Sequence, residues 1–437
     1  MSAQLRNLLE DKRIALLGFG REGRSSYAFL RRMFPEKELL IADKAPLALE
    51  DPHVRLCTGE NYMQALHDCD FLLKSPGISL RGVKIPQGLR ISCQTDLFLR
   101  FAPCIKAGVT GTKGKTTTAT LLYEMLAASG QPARLIGNMG RPVLDCMEEI
   151  EGQVAVIELS SHQLEFTGAS PQVAVWTNLY EEHLDHYNGG FAGYAAAKAN
   201  ICRFQSSSDV FIYTAEQPLA AMADLSDCRG ERIPVGLRAG ENDSFLGSLA
   251  GRNARLKGDH NRQNIYFAAT AALRLGASEA GIRRAVEEFK GIPHRMETVS
   301  TAGGIQWVDD CISTIPHSVL CALDALENVD TLILGGLDRG LQYADFAAEL
   351  SHRPVRNVIC LPETGHSIAK LLRAAGSLQQ IVPVETMEEA VNAAKRCTAQ
   401  GKTCLLSPAA ASYNCYKDFE EKGRHFAQCI AALRWGQ

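Results

Sequence analysis

Short apolar segments alternate with longer amphipathic segments along most of the chain. This alternation predicts an α/β fold in which buried strands are followed by helices. The first predicted strand covers residues 13–17, a glycine turn and a helix over 25–34 follow, and the second strand covers 38–42. Further strands are predicted at residues 105–109, 154–158, 173–176, 305–308, 331–334, 358–361 and 403–406.

Two changes along the chain predict three domains. The strand at 105–109 begins a new series directly before a second glycine loop, and a Gly-Ile-Pro-His break at 291–294 precedes another series of strands. A length of 437 residues allows about two to four domains of ordinary size. We place the boundaries near 95 and 297, which predicts domains at 1–95, 96–297 and 298–437.

Composition and charge exclude several classes of protein. With 46% hydrophobic and 22% charged residues, the chain resembles neither a disordered protein nor a coiled coil. Lys and Arg number 46 against 49 Asp and Glu, so no basic field favours nucleic acid or a membrane surface. The apolar runs are too short to span a bilayer, and the N-terminus lacks the apolar core of a signal peptide. We expect a cytoplasmic monomer.

The distribution of cysteines agrees with a cytoplasmic location. The 14 cysteines are scattered and form no C-x-x-C pair. This pattern is typical of buried thiols in a reducing compartment and gives no indication of a zinc site.

The first glycine loop is Gly18-Phe-Gly20-Arg-Glu-Gly23, between a predicted strand and a predicted helix. Asp43 ends the next strand 20 positions later. This is the dinucleotide-binding pattern in its expected context, where backbone N–H groups approach a pyrophosphate and the acid holds a ribose or a neighbouring hydroxyl. Any nucleotide diphosphate satisfies it, so an NAD-dependent oxidoreductase is one alternative, and a turn that only packs helix on strand is another.

The second glycine loop is Gly108-Val-Thr-Gly111-Thr-Lys-Gly114-Lys115-Thr116-Thr117, followed by a predicted helix over 117–128. Val109 stands where the strict Walker pattern requires glycine. The chemical groups remain: Lys115 can reach the β- and γ-phosphates of a nucleotide and the Thr116 hydroxyl can hold Mg²⁺. A P-loop switch or motor that hydrolyses ATP is an alternative at this point.

Three further features carry possible metal chemistry. Glu158 ends an apolar strand, where P-loop proteins place an acidic metal ligand. Residues 181–186, Glu-Glu-His-Leu-Asp-His, cluster metal-ligand types, although a solvated helix start would look the same. Lys198 lies in a small-residue helix, and on pattern alone it is interpreted as a surface lysine.

Together these residues resemble the Mur ligase family, the ATP-dependent ligases that build the peptide of bacterial peptidoglycan. The loop 111–116 matches the Gly-Thr-x-Gly-Lys-Ser/Thr pattern of the family, which folylpolyglutamate synthetases share. The most discriminating segments are 158–165 (Glu-Leu-Ser-Ser-His-Gln-Leu-Glu) and 406–423, which resemble the glutamate-adding member. Further matching segments are Gly18 to Gly23, Asn138-Met-Gly140, His260-Asn261-x-x-Asn264 and Pro293-His-Arg295.

The resemblance implies a fold and a set of substrates. The first and third domains would be Rossmann-like, and the central domain would be a P-loop mononucleotide-binding domain with a mostly parallel sheet. The substrates would be ATP, UDP-N-acetylmuramoyl-L-alanine and glutamate, joined through an acyl phosphate. Mg²⁺ would occupy two sites, one of them helped by a carbamylated Lys198.

It also implies roles for individual residues. Those implied to act in catalysis are Lys115, His183 and Lys198. Those implied to bind ATP are Gly111, Thr112, Lys113, Gly114, Lys115, Thr116, Thr117, Asn261, Asn264, Arg295 and Asp310. Those implied to bind the UDP-substrate are Gly18, Gly20, Arg21, Glu22, Asp43, Lys44, Asn138, Ser160 and Gln163. Those implied to bind metal are Thr116, Glu158, His183 and Lys198, and those implied to bind glutamate are Thr314, Arg339, Ser412 and Phe419.

Two departures from the family pattern concern the chemistry. Position 113 is usually Asn or His, and here it is Lys113. The usual Asp-Ser-Lys-Ala-Thr-Asn segment is Asp310-Cys-Ile312-Ser-Thr314-Ile315 here, so that apolar isoleucines replace the usual Lys and Asn. Because this segment borders the amino-acid site of the family, the pattern does not decide between D- and L-glutamate. We expect D-glutamate, which most such members use, with an L-glutamate-adding variant as the alternative.

Overall fold

The computed structural model describes residues 3–137, 141–253, 255–256, 258–338 and 340–434 and contains three β-sheets. The chain forms two compact units, residues 1–290 and 291–437. In the part of the chain that is described, no helix is long and apolar enough to cross a membrane.

The first sheet has five parallel strands in the order β3-β2-β1-β4-β5. Its strands are β1 Ile14–Leu17, β2 Leu39–Asp43, β3 Val54–Thr58, β4 Phe71–Lys74 and β5 Arg90–Ser92, with helices α1 Ala3–Leu9, α2 Arg21–Met33 and α3 Gln94–Phe101 and a 3₁₀ helix at Tyr62–His67. Strand β1 is buried on both faces: Ile14 and Leu16 enter one apolar cluster, Ala15 and Leu17 another. That is why a parallel strand appears as an unbroken apolar run.

The second sheet, in the same compact unit, has six parallel strands in the order β11-β10-β9-β6-β8-β7. The strands are β6 Ile105–Thr110, β7 Ala133–Gly137, β8 Val154–Glu158, β9 Val173–Trp176, β10 Val210–Thr214 and β11 Glu231–Val235. The helices are α4 Lys115–Ala128, α5 Ser161–Leu164, α6 Phe191–Arg203, α7 Leu219–Met222, α8 Leu237–Asn242, α9 Ser244–Gly247, α10 Asp259–Arg274 and α11 Glu279–Glu288, with a 3₁₀ helix at Val143–Cys146.

The unit formed by residues 291–437 holds the third sheet, in the order β12-β13-β17-β14-β15-β16, with only β12 antiparallel to its neighbour. The strands are β12 Glu297–Ser300, β13 Gln306–Asp309, β14 Val329–Leu334, β15 Asn357–Cys360, β16 Gln380–Pro383 and β17 Thr403–Leu406. The helices are α12 Pro316–Ala325, α13 Ala344–Ser351, α14 Thr364–Ala374, α15 Met387–Cys397 and α16 Phe419–Ala431, with a 3₁₀ helix at Ala302–Gly304.

The structure confirms the predicted α/β class and the mostly parallel sheets. Both loop helices begin earlier than predicted, at Arg21 and at Lys115, because the last non-helical residue in each loop is a glycine. Gly114 is left-handed, with φ of 82°, a conformation that glycine adopts without strain. Lys115 and Thr116 therefore lie in the first turn of α4. The domain boundaries near 95 and 297 stay predictions.

One close approach fixes how the first loop packs. A Cβ at Gly23 would lie against the carbonyl oxygen of Gly18, so α2 contacts the end of β1 at a point with no room for a side chain. At Gly20, in the same loop, a Cβ would meet no atom within 4 Å. This is the role that the third glycine of the pattern plays in close helix–strand packing.

Replacing Gly23 by alanine should lower the free energy of unfolding by about 1–3 kcal/mol, because a backbone carbonyl cannot yield to an inserted methyl group. The Gly20→Ala variant is the matched control and should change it by less than about 0.5 kcal/mol. Denaturant unfolding of both variants measures the difference. Equal stability of the two variants would contradict the packing argument.

Candidate active site

A cavity of about 430 Å³ lies at the carboxyl edge of the first sheet. Six of the residues predicted to bind a nucleotide diphosphate line it: Gly18, Gly20, Arg21, Glu22, Asp43 and Lys44. Pattern reasoning missed its other lining residues, which carry no recognisable motif: Tyr62, Ser75, Pro76, Gly77, Ile78, Gly137 and Pro142. The cavity lies where open α/β sheets bind ligands.

Asp43 has a second role that its position in the pattern does not reveal. Its Oδ2 accepts the N–H of Phe19 at 2.6 Å, and its Oδ1 accepts the N–H of Ala45 at 2.9 Å. The carboxylate therefore holds the first glycine loop against the end of β2. It keeps further lone pairs that can accept a ligand hydroxyl.

Glu22, Ser160 and Gln163 come together, which links the first and second sheets within the same compact unit. Ser160 and Gln163 form a reciprocal capping box at the start of α5. The Gln163 amide then donates to the Glu22 carboxylate at 2.8 Å. Burial raises the pKa of Glu22, and the hydrogen bond from Gln163 opposes that shift. Glu22 thus contacts the first cavity and the end of the second sheet at once.

The second glycine loop connects β6 to α4 at the carboxyl edge of the second sheet. Gly111 has φ of 148°, and a Cβ there would lie against the Thr177 side chain. Lys115 folds back over the loop, and its ammonium donates to the carbonyls of Gly111 at 3.1 Å and Thr112 at 2.9 Å. This curled loop at a helix N-terminus has the geometry of a phosphate-binding site.

Residues from α10 and from the end of β9 hold this loop. Asn264 accepts a hydrogen bond from the Thr118 hydroxyl at 3.2 Å and donates to Asn261 at 3.3 Å. Asn178 was not predicted, yet its side-chain oxygen accepts the N–H groups of both Thr112 and Lys113. Its position just beyond the end of a buried parallel strand is the feature of the sequence from which it could have been predicted.

Lys113, the departure from the family loop, does not add an unbalanced charge. Its ammonium lies 2.8 Å from a carboxylate oxygen of Glu182 and is largely exposed. Thr177 and Asn178 both donate to its carbonyl. The Lys113 side chain therefore pairs with Glu182, while its backbone hydrogen-bonds to Thr177 and Asn178 and holds the loop in place.

Lys198 is not a surface lysine, and the pattern-based interpretation was wrong. It lies on α6 with 1% exposure, because the small residues around it allow that helix to pack closely. Its Nζ donates to the Gly111 carbonyl at 2.7 Å and lies 4.8 Å from the centre of the Tyr194 ring. Burial, and next the Lys115 charge, lower the pKa of Lys198 well below its usual value.

Glu158 and His183 lie around the same loop. Glu158 ends β8, is buried, and stands opposite Val109 of β6 in the sheet register. Its charge acts on Lys198, raising the pKa of that lysine against the larger effect of burial. His183 lies in a loop and not at a helix start, with φ of 55°, and its ring centre is 4.7 Å from that of His162. Burial lowers the pKa of His183.

The unit formed by residues 291–437 carries further predicted site residues, and Asp310 lies at the carboxyl end of one of its strands. Asp310 follows β13 and accepts the Ser407 hydroxyl at 2.7 Å and the Met296 N–H at 3.2 Å. Burial raises the pKa of Asp310, and the hydrogen bonds from Ser313 and Ser407 partly oppose this. Ser407 was missed by pattern reasoning because a lone serine after a strand carries no signal.

Three of the predicted glutamate-binding residues belong to neighbouring segments of this unit. Thr314 is half-buried after β13, and the N–H of Ala409, in the segment after β17, donates to the carbonyl of the preceding residue, Ser313. Ser412 is buried, and among the described residues its hydroxyl has no hydrogen-bond partner. Phe419 begins α16 with its ring centre 6.1 Å from that of His294. Asn138 and Arg339 lie outside the described residues.

Comparison with known proteins identifies the family. The Mur ligase middle domain matches residues 109–272, and the glutamate ligase domain of Mur ligases matches residues 294–410. The UDP-N-acetylmuramoylalanine–D-glutamate ligase of Symbiobacterium thermophilum is 34% identical over 402 residues, 87% of this chain and 88% of that protein. The UDP-N-acetylmuramoyl-L-alanine–L-glutamate ligase of Xanthomonas campestris pv. campestris is 33% identical, over 96% of this chain and 95% of that protein.

A solved structure agrees on the fold. The UDP-N-acetylmuramate–alanine ligase MurC of Thermotoga maritima superposes with a TM-score of 0.53 at 18% identity, over 96% of this chain and 99% of that chain. Two glycine loops at the ends of parallel sheets, with a buried lysine beside the second, define a nucleotide-dependent α/β enzyme. The chain belongs to the Mur ligase family of ATP-dependent ligases, which act in peptidoglycan synthesis. Membership of this family argues against the two alternative functions, an NAD-dependent oxidoreductase and an ATP-hydrolysing switch or motor.

The pair of His294 and Asp309 should give the unit formed by residues 291–437 a measurable pH dependence. His294 Nδ1 lies 2.7 Å from Asp309 Oδ2, and this hydrogen bond raises the pKa of His294 above its usual value near 6.5. The stabilisation is then full below about pH 6.5 and is lost as the pH rises through the higher folded-state pKa.

The His294→Asn variant tests this, because asparagine tolerates the positive φ of 60° at this position. Between pH 6 and about pH 9, wild type should lose more stability than the variant, measured by denaturant unfolding. Replacing the exposed His67 by glutamine is the control and should leave the pH dependence of wild type unchanged. Parallel curves for wild type and His294→Asn would contradict the assignment.

Proposed function

We propose that this chain uses ATP to join glutamate to the L-alanine carboxylate of UDP-N-acetylmuramoyl-L-alanine. One observation carries the proposal: two glycine loops lie at the carboxyl ends of two parallel sheets in one compact unit, bridged by Glu22 and Gln163. A single dinucleotide cofactor would need only the first loop. Two such loops suit a UDP-linked substrate and a nucleoside triphosphate together.

The first cavity would take the uridine diphosphate. Backbone N–H groups of the loop at Gly18 and Gly20 and the start of α2 suit the diphosphate. Arg21 and Lys44 line the same cavity and supply positive charge. Asp43 is available for a hydroxyl. Ser160 and Gln163, which follow Glu158, would hold the sugar–peptide part between the two sheets, together with Asn138.

The second loop would take ATP. Gly111, Thr112, Lys113 and Gly114 would enclose the phosphates through their backbone N–H groups, with Lys115 and Thr117 contributing side chains at the helix start. The predicted adenine and ribose contacts are Asn261 and Asn264. Contacts of Arg295 and Asp310 with ATP are implied by the family resemblance alone.

The donor set fits Mg²⁺, a hard cation that prefers oxygen ligands. Thr116 offers a hydroxyl in the first turn of α4, and Glu158 offers a buried carboxylate at the end of the adjacent strand β8. His183 is the proposed nitrogen ligand. The cation would supply positive charge to the phosphate oxygens during transfer.

Lys198 fits the family's carbamylated lysine. Carbon dioxide reacts with a neutral amine, and burial, followed by the Lys115 charge, lowers the pKa of Lys198, which favours that form. Carbamylation would turn a cation beside Lys115 into an anion with two oxygen donors. That change would remove the repulsion between the two lysines and add a metal ligand.

The proposed reaction has two steps. The L-alanine carboxylate attacks the γ-phosphorus of ATP, ADP leaves, and an acyl phosphate forms. Lys115 lies where it can stabilise the charge on the transferred phosphoryl group. The amine of glutamate then attacks the acyl carbon, loses its proton, and inorganic phosphate leaves with formation of the amide bond. Water must be excluded because it would hydrolyse the acyl phosphate.

The incoming glutamate is assigned to the unit formed by residues 291–437. Ser412 supports this role because its buried hydroxyl, which has no hydrogen-bond partner among the described residues, can bind a carboxylate. Thr314, Phe419 and Arg339 are the other proposed contacts, and an arginine can hold a carboxylate through two parallel hydrogen bonds.

D-glutamate is our proposal for the amino acid, because the relative from Symbiobacterium thermophilum carries that name. L-glutamate is the second candidate, and two observations favour it. The usual Lys and Asn are replaced by Ile312 and Ile315, and the L-glutamate ligase of Xanthomonas campestris is similar over 96% of this chain. We also propose that the enzyme acts as a cytoplasmic monomer, which size-exclusion chromatography with light scattering tests.

The Lys198→Ala variant should lose about 100-fold or more of the turnover rate, because it removes a preorganised group from the phosphate site. Short-chain carboxylic acids should restore part of the rate by replacing the carbamate oxygens. Lys106→Ala is the matched control: Lys106 is also a buried lysine, near the opposite end of β6, and its loss should leave the rate per folded molecule unchanged. Full activity of Lys198→Ala would contradict the role.

A phosphate-release assay with UDP-N-acetylmuramoyl-L-alanine and each glutamate enantiomer tests the proposed function as a whole. Release should require ATP, the UDP-substrate and glutamate together, with kcat/KM at least about tenfold higher for D-glutamate, which equals about 1.4 kcal/mol. A preference of that size for L-glutamate would select the second candidate. ATP hydrolysis that does not depend on the UDP-substrate would contradict both.

A further inference from the structure

A group of three side chains lies outside the residues discussed so far, between two helices of the unit formed by residues 291–437. Glu388 is the second residue of α15, and His425 and Cys429 lie four residues apart on α16. One ligand atom from each lies within 4.8 Å of the other two. Residues at this spacing on a helix face the same side, so α16 presents both side chains to α15.

We propose that Glu388, His425 and Cys429 form a binding site for Zn²⁺ or a similar transition-metal cation that joins α15 to α16. Thiolate sulfur, imidazole nitrogen and one carboxylate oxygen form a mixed donor set suited to zinc, with a water as the fourth ligand. Mg²⁺ and Ca²⁺ prefer oxygen ligands alone. The inference goes beyond the ligase reaction, because none of the three residues belongs to the proposed substrate sites.

The distances allow a tetrahedral ion with little rearrangement. The Nε2 of His425 lies 3.1 Å from Oε1 of Glu388. Ligand atoms about 2.0–2.3 Å from a tetrahedral zinc stand about 3.3–3.8 Å apart. The two groups therefore need to separate slightly, while the Cys429 sulfur approaches within the 4.8 Å limit. Glu388 is exposed, so its side chain is free to adjust.

Tyr416 orients the imidazole for this role. Its hydroxyl lies 2.9 Å from Nδ1 of His425. When Nδ1 carries the proton and donates to the Tyr416 oxygen, the Nε2 lone pair points towards Glu388 and the metal position. Metal-bound histidines commonly make such a hydrogen bond from their second nitrogen, which fixes the tautomer and the ring orientation.

Cys429 would bind the cation as a thiolate, and its side chain is buried on α16. Zinc binding forms the Zn–S bond as the S–H bond breaks, and the proton goes to solvent with no change of oxidation state.

Spectroscopy of the full chain with Co²⁺ as the probe, in the presence of excess Mg²⁺, tests the site. Wild type should show thiolate-to-cobalt charge-transfer absorption that saturates at one ion per chain, and Zn²⁺ should abolish it by competition. The absorption identifies a cysteine ligand, and the Mg²⁺ site proposed above contains none. Zn²⁺ should also raise the midpoint of thermal unfolding of wild type.

The variants separate this site from adventitious thiols. Cys429→Ala should lose the absorption and the thermal shift. Glu388→Gln, at an exposed position that cannot prevent folding, should weaken Co²⁺ binding at least about tenfold, and Tyr416→Phe about tenfold. His317 and Cys321 on α12 provide the matched control, with the same spacing and an Nε2–Sγ distance of 3.6 Å. In the described part of the chain, no third ligand joins that pair.

Cys321→Ala should therefore retain the full signal. Absence of a thiolate band in wild type, an unchanged band in Cys429→Ala, or unchanged affinity in Glu388→Gln would each overturn the proposal.

Discussion

Two lysine side chains converge on one backbone oxygen, and the arrangement around the second glycine loop depends on that contact. Lys115 and Lys198 both donate to the Gly111 carbonyl, at 3.1 and 2.7 Å. Two cations this close, one of them fully buried, repel each other and lose solvation. Burial, and next the charge of Lys115, lower the pKa of Lys198 as a result. A bound anion would offset the positive charge of the two side chains.

The same contact explains why the loop needs its glycine and its neighbours. Gly111 has a positive φ, and the Thr177 side chain occupies the place of a Cβ. Asn178 then accepts two loop N–H groups and donates back to the Lys113 carbonyl. The loop is held by side chains from the adjacent strand end, which leaves the inner backbone groups preorganised for a ligand.

The fold and both glycine loops could be predicted because their signals are local. An apolar run, a glycine turn and a following helix occupy one continuous stretch of sequence. Lys198 could not be predicted this way, since its burial depends on α6 packing against a loop 87 residues earlier. Asn178 and Ser407 are single polar residues after strands, and each reaches its partners only through the sheet of its own unit: Asn178 the second glycine loop, and Ser407 Asp310. His425 and Cys429 escaped notice because a search for cysteine pairs does not detect a helical His–Cys spacing completed by another helix.

The hydrogen bond between Glu22 and Gln163 has a thermodynamic consequence. Glu22 lines the first cavity, while Gln163 completes the capping box with Ser160, two residues after Glu158. A ligand that changes the charge or position of Glu22 therefore changes the free energy of the turn beside the second glycine loop. Coupling between binding sites is reciprocal. Coupling through this amide–carboxylate contact therefore has one magnitude in both directions: the factor that a ligand in the first cavity imposes on binding at the second loop is the factor that binding there imposes on the first cavity.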